Sequence, residues 1–406
     1  MTNPHAKIAI WVAAAIKVRP AVLLSVLAMS LTAPAAADVH VDILYLEHQV
    51  ARPPTLSNLT TVPKDQGLQG AQLGAHDNAT TGRFLKHTYA FKSVVVRPDH
   101  DFVAQAVKAL GDLPNAYVVA NAPASSLLAL ADHPTAIGRL IVNAGAADDR
   151  LRNTDCRTNI LHTLPSRSML ADALAQFLIK RRWTNIFLVT GARPADVALG
   201  NAFRDAFRKF RAKIVADKPW PFVADLRRTA GAEVPLFTQG VDFDVLVVAD
   251  ETDDFGRYLA YNTWVPRPIA GSHGLSPTAW DGVVEQWGAA QLQRRFQKQA
   301  KRLMKARDYA AWAAVRVIGE AVTRTNSAEV KTVSAYIRGK QFKLAAFKGR
   351  PVSFRTWNGQ LRQPIPLVTA GAVVLSAPIE GFLHRRTELD TLGRDEPESN
   401  CRLSQP

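Results

Sequence analysis

Cysteine is nearly missing from this chain: Cys156 and Cys401 are the only two in 406 residues. No cysteine nucleophile with a histidine partner is left if those two pair with each other. Other catalytic signatures are missing as well. There is no G-x-S-x-G elbow, no phosphate loop ending in Gly-Lys-Ser/Thr, and no H-E-x-x-H. Beyond residue 37 no apolar run is long enough to span a bilayer. Clusters of basic and aromatic residues are lacking too. The net charge of +15 is spread along helix faces such as Arg294, Arg295, Lys298, Lys301 and Arg302, which argues against nucleic acid as a partner. What is present in quantity is apolar residue, 47%, with 21% charged. That balance supports sizeable cores and excludes wholesale disorder. The length suggests at least two domains.

The start of the chain reads as a targeting segment. Lys7, Lys17 and Arg19 precede Ala21–Ala33, an apolar run of secretory length. Ala35, Ala36 and Ala37 then satisfy the small-residue cleavage rule, so residues 1–37 are expected to be a cleaved signal peptide that delivers the chain to the periplasm. An uncleaved anchor is the alternative. The run is short for a span, however, and Arg19-Pro20 separates it from the earlier apolar patch. No cysteine lies near the cleavage site to carry a lipid. In an oxidising compartment Cys156 and Cys401 are expected to form one disulfide, with a reactive thiol as the alternative.

From Asp38 onward strand-like runs alternate with amphipathic helices. Strands are expected at Val39–Leu46, His87–Val96, Ala116–Val119 and Leu140–Val142, with helices at Asp65–Phe84, Asp101–Leu110 and Ser125–Ala131 between them. Ile160–Ala192 is the densest stretch: an extended start, a Pro-Ser-Arg-Ser turn, an amphipathic helix over Ala171–Trp183 and a strand from Asn185. A turn of that kind presents polar groups at a helix N-terminus and can hold a small polar or anionic ligand. A second β-α series follows, with Phe203, Phe207 and Phe210 at core spacing on a helix over Val197–Phe210. Strands are expected at Lys213–Ala216, Asp244–Val248 and Ile269–Gly271. Helices are expected over Trp280–Leu303, Asp308–Thr323 and Ser327–Arg338. Val352–Phe354 and Gln363–Thr369 are then expected as strands, with Asn358-Gly359 as a hairpin signal. The fold class is therefore α/β, with parallel sheets between helices. A late return of strands suggests a chain that crosses more than once between two lobes.

This order resembles the type I periplasmic solute-binding proteins of the leucine/isoleucine/valine-binding class. The resemblance rests on Asn143-Ala144-Gly145, Leu151-Arg152, Cys156, the turn from Leu161 to Ser166, Asp308 to Ala313, and Phe347 to Phe354 followed by Asn358-Gly359. Trp183-Thr184-Asn185, Asp225 to Thr229, Val234 to Gly240 and Arg386 to Asp390 are similar to a branch of ABC-transporter binding proteins associated with PQQ-dependent alcohol oxidation. The resemblance implies two Rossmann-like lobes, a multi-crossover hinge and a ligand cleft at the strand ends. The implied lobes are 38–162 with 272–342 and 163–271 with 343–380, followed by a tail over 381–406. It also implies a monomeric substrate-binding component of an ABC importer. Such a protein takes a small-molecule ligand, works with a membrane permease, and has no cofactor and no catalysis. By position, Asn121, Ala122, Pro123, Asn143, Ala144, Gly145 and Ala146 would contact ligand from lobe one. Ser166, Arg167 and Ser168 would stand at the crossover, and Glu251, Thr252 and His273 would come from lobe two.

Two departures bear on the ligand. Amino-acid binders of this family present a Ser/Thr-rich loop and an acidic residue. Here Pro123 removes a backbone donor from the loop, and His273 falls near the acidic position. These departures put a branched-chain amino acid as the ligand in doubt. Asp250, Glu251, Asp253 and Asp254 could instead hold a hard cation or metal complex, although acids at a helix N-terminus account for the same cluster. A periplasmic enzyme with Glu251 and His273 as acid and base is the third alternative.

Overall fold

The computed structural model describes residues 38–51, 62–221, 226–401 and 403. The expected signal peptide lies outside the described residues. None of the described helices is long and apolar enough to cross a membrane.

The first lobe is built on five parallel strands: β1 (Val39–His48), β2 (His87–Val96), β3 (Tyr117–Asn121), β4 (Ile141–Asn143) and β5 (Ile160–His162), in the order β2-β1-β3-β4-β5. Helices α1 (Leu68–Gly82), α2 (Phe102–Asp112) and α3 (Ala124–Ala131) connect them. Strands β3, β4 and β5 are buried throughout because both faces are covered, whereas the edge strand β2 is largely exposed. Beyond β5 the chain enters a second lobe with α4 (Arg167–Lys180), β6 (Asn185–Thr190), α5 (Pro194–Lys209), β7 (Lys213–Pro219), α6 (Leu226–Thr238), β8 (Val245–Ala249) and β9 (Ile269–Gly271). Its four parallel strands run in the order β7-β6-β8-β9.

The remaining elements pass back and forth between the lobes. Strand β10 (Ser276–Pro277) belongs to a small antiparallel sheet on lobe two, whereas α7 (Ala289–Ala300), α8 (Ala306–Thr325) and α9 (Val330–Arg338) pack on lobe one. The hairpin β11 (Ser353–Phe354) and β12 (Leu361–Arg362) places Phe354 and Leu361 in the lobe-one core. Strands β13 (Ile365–Val368) and β14 (Val373–Ala377) then pack on lobe two. The chain thus crosses near residues 163–166, 278 and 362–364, which makes the connection a three-strand hinge.

The tightest packing joins α1 to α8. Both carry small residues on the facing side, and a Cβ on Gly70 would stand 1.8 Å from the Asp308 carbonyl oxygen. Asn78 Nδ2 donates to the Val315 carbonyl at 2.8 Å, and Trp312 Nε1 to Asp77 at 2.9 Å. A methyl group at Gly70 must push backbone off backbone, with no flexible side chain to yield. Gly70→Ala is expected to cost about 3 kcal/mol, the upper end for overpacking. The midpoint of urea unfolding reads this directly, and an unchanged midpoint would mean that the helices separate freely.

Several elements differ from the sequence expectation. The helix expected over Trp280–Leu303 is confined to Ala289–Ala300. Upstream, Trp287 and Gly288 adopt positive φ (54° and 79°) and break the run. Helix α6 and strand β14 were not anticipated; Pro235 inside α6 disguised the first. The Asn358-Gly359 turn joins β11 to β12, whereas the strand expected over Gln363–Thr369 pairs with β10 and β14. Helix α4 is not amphipathic in effect, because its polar face is covered too. Asp172 accepts from Lys209 Nζ and the Gly393 amide, each at 2.8 Å, and Gln176 bonds Thr391 and the Ile379 amide.

That cover is the C-terminal tail, which lies across the hinge. Arg355, 2% exposed, donates to Asp390 at 2.9 Å and to the carbonyls of Leu389, Leu392 and Arg394. Farther along, the Ser399 hydroxyl donates to the Arg152 carbonyl and Cys401 is bonded to Cys156, with Cα atoms 5.9 Å apart. The expected disulfide is present.

Candidate functional site

A cavity of about 500 Å³ opens between the lobes at the carboxyl ends of both parallel sheets. The chain leaves β1 at His48, β3 at Asn121, β6 at Thr190 and β8 at Ala249, so residues just beyond those points are delivered to one place. Among the lining residues are Asn121, Ala122, Pro123, Gly145 and Ala146 from lobe one, and Arg167, Glu251 and Thr252 from lobe two. A second cavity of about 390 Å³ lies by Trp280, Trp287 and Phe347. Its buried lysine, Lys348, is spent on the carbonyls of Ala279 and Pro364, and burial pushes its pKa down to about 7. The interlobe cleft has the richer polar wall and is the better candidate.

Residues 145–147 are held in place by Asn143. Its side-chain oxygen accepts from the amides of Gly145 (3.1 Å) and Ala146 (2.9 Å), and its nitrogen donates to the Ala146 carbonyl at 2.8 Å. Arg152 supports the same loop from behind. Its guanidinium donates to the carbonyls of Ala146, Asp148 and Leu164 and to Gln360, which ties the cleft wall to two hinge strands. Burial draws the Arg152 pKa down to about 10. Asn143 and Ala144 are fully buried and stand behind the cleft, not on its surface.

At the crossover Ser166 caps α4, accepting from the Met169 amide at 3.3 Å. Ser168 turns to Asp149, with its hydroxyl 2.5 Å from that carboxylate. Of the three crossover residues only Arg167 lines the cleft. Its guanidinium is bidentate on Glu251 (2.5 and 2.9 Å) and 3.4 Å from Asp148. Burial works against the charge on Arg167, but the Glu251 hydrogen bond and charge outweigh it and hold the group firmly protonated.

The acidic segment after β8 is consumed by its own loop. Asp250, 2% exposed, accepts from the amides of Asp254 (2.9 Å), Phe255 (2.9 Å) and Gly256 (2.7 Å). It caps a single 3-10 turn over Gly256–Tyr258, not an α-helix as the acid-rich start suggested. His273 does not reach the cleft surface. Its Nε2 lies 2.8 Å from Asp253 and its ring packs on Gly256. Burial raises the Asp253 pKa, but His273 and Arg257 outweigh it and hold the carboxylate below its ordinary range. Asp250, Asp253 and His273 do come within 4.8 Å of one another. With Asp250 spent on amides and Asp253 on two bases, the cluster works as a loop clasp. Asp254 stands apart, 3.6 Å from Arg193.

Sequence reasoning missed His48, Arg193, Tyr258 and Arg307, all of which line the cleft. His48 was findable, since it closes the first strand. Arg307 sits in the first turn of α8, inside a segment read only for its helical character.

The chain matches no family model and no curated protein. Its structure is similar to several solved ones. A branched-chain amino acid ABC transporter periplasmic ligand-binding protein from Burkholderia xenovorans gives a TM-score of 0.68 at 15% identity, covering 90% of this chain and 100% of that one. The leucine-, isoleucine-, valine-, threonine- and alanine-binding protein of Brucella ovis, in its closed conformation, gives 0.67 at 13%, covering 90% and 99%. A periplasmic binding protein from Burkholderia mallei gives 0.63 at 17%, covering 91% and 100%. None of these names carries the PQQ association suggested by the segments at 183–185, 225–229, 234–240 and 386–390. Two parallel-sheet lobes, three crossings and a cleft at the strand ends are thus the fold of the type I periplasmic binding proteins.

Proposed function

We propose that this chain is the periplasmic substrate-binding component of an ABC importer, which holds a small solute in the interlobe cleft by hinge closure and performs no chemistry on it. The observation that carries this is the position of the cavity, at the carboxyl ends of two parallel sheets joined by three crossings. Structural neighbours over about nine-tenths of the chain are named as ligand- or substrate-binding proteins of such transporters. In this function one lobe comprises residues 38–162 and 278–361, and the other 163–277 and 365–380. Asn121, Ala122, Pro123, Gly145, Ala146, Arg167, Glu251 and Thr252 meet the ligand, while Asn143, Ala144, Ser166, Ser168 and His273 position the residues that do. The cleft is assigned no acid-base pair, because Glu251 is engaged by Arg167 and His273 by Asp253. Residues 1–37 direct export, the mature chain is monomeric, and a membrane permease receives the loaded form.

The test is calorimetry of the mature protein against a metabolite panel, followed by small-angle scattering of any complex. One-to-one binding with a smaller radius of gyration is expected, and the ligand should be recovered at unchanged mass. A changed mass would assign chemistry to the cleft and overturn the proposal.

A further inference from the structure

The acids that line the cleft are all matched by bases. Arg167 takes Glu251 and Asp148, Arg257 and His273 take Asp253, and Arg193 faces Asp254. Arg150 turns away to Asp155 at 2.5 Å. One lining arginine is left over. Arg307, half-buried in the first turn of α8, forms no hydrogen bond or ion pair among the described residues. The segment 52–61, whose two ends flank the cleft at Ala51 and Val62, contains no Asp or Glu that could take it. The charge of Arg307 is felt by Glu47, with which it forms no ion pair. Burial raises the pKa of that group, and its carboxylate already accepts from the Tyr45 hydroxyl at 2.8 Å.

A second polar group on the same wall is also unspent. His48 stacks on Phe102, with ring centroids 5.2 Å apart, and Nδ1 lies 2.8 Å from the Ser126 hydroxyl. Its Nε2 is buried with no hydrogen-bond partner. Buried polar atoms are nearly always satisfied, so one left over beside a cavity marks a place for a ligand atom. When the Ser126 hydroxyl donates to Nδ1, Nε2 carries the proton and points to an acceptor. The surroundings, Ala122, Pro123, Ala146, Ala147 and Tyr258, are small or amphipathic.

We propose that the ligand is a small organic acid bound as its anion and lacking an amino group, with its carboxylate on Arg307 and an oxygen at His48 Nε2. This rests on the binding function proposed above. An ammonium group would need a carboxylate of its own, and taking Glu251 would break the bidentate pair of the buried Arg167 and leave it only the longer contact to Asp148 at 3.4 Å. A carboxylate disturbs no existing pair, and it gives Arg307 a planar partner suited to its fork.

The experiment titrates the mature protein with matched compounds: 4-methylpentanoate against L-leucine, and 3-phenylpropanoate against L-phenylalanine and 3-phenylpropanamide. In parallel, protein purified from its own periplasm is examined by native mass spectrometry for a retained small molecule. At least one acid is expected to bind at least tenfold tighter than its amino and amide counterparts. Arg307→Gln should weaken that acid about 30-fold, within the range for a hydrogen-bonded charged group. Arg307→Lys should recover part of the loss, which separates anchoring from misfolding. A retained amine-free anion supports the proposal equally. Preference for either amino acid, a retained zwitterion or amine, or acid binding untouched in Arg307→Gln overturns the anion assignment and leaves the receptor function standing. No binding by any compound together with no retained molecule overturns both.

Discussion

Replacing Cys156 and Cys401 together by serine is expected to lower the stability of the protein by roughly 4–5 kcal/mol. The bond spans 245 residues, and the entropy removed from the unfolded chain grows with the logarithm of the closed loop. The native geometry around it is otherwise self-supporting: Ser399 and Asn400 bond the Arg152–Asn153 turn, and Arg355 grips the tail from the hinge side. Little of the loss should therefore come from a disordered native tail. Guanidinium unfolding of the double variant and of the oxidised parent, each followed by tryptophan fluorescence, measures the difference. A gap below about 1 kcal/mol would show that the unfolded ensemble is already restricted without the bond.

Asp308→Ala is the second large loss, about 3–4 kcal/mol. The carboxylate is fully buried and accepts from the Gly67 amide at 2.7 Å, the Lys305 amide at 3.0 Å and both arms of Arg302 at 2.7 and 3.0 Å. Deletion leaves a buried amide and a largely buried guanidinium without their acceptor, which ordinarily costs about 3–5 kcal/mol. The value belongs toward the lower end because Arg302 keeps Asp65 at 3.0 Å. Asp308→Asn should lose less, since one amide oxygen still accepts. If alanine and asparagine cost the same, shape and not charge holds the start of α8. Circular dichroism of urea melts for the two variants separates these outcomes.

The sequence made the two sheets legible because their inner strands are apolar runs and the edge strand over residues 87–96 alternates, each bounded by turn residues. His87–Val96 and Ile269–Gly271 were expected at their observed limits. The three phenylalanines of α5 were legible for the same reason, as spacing on one element. Where a side chain's partner lies far along the chain, the pattern was silent. Asp172 and Gln176 look solvent-facing until residues 379–393 are laid over them. The site divides in the same way. Family position brought Asn121, Gly145, Arg167 and Glu251 to the cleft, but His273 and Asn143 serve the wall from behind. The spare valence of Arg307 and His48 could not be seen from residue type at all, because it depends on which neighbours every other charge has already taken.

The α1–α8 contact also has a bearing on biosynthesis. Hydrogen bonds from Gly67 to Asp308 and from Asn78 to Val315 join positions 241 and 237 residues apart. The sheet made first therefore waits for a cover made in the last third of translation. A nascent chain with such distant closing partners stays loose while it is being synthesised. Under the export proposed above, that delay would keep the chain open until all of it can pass.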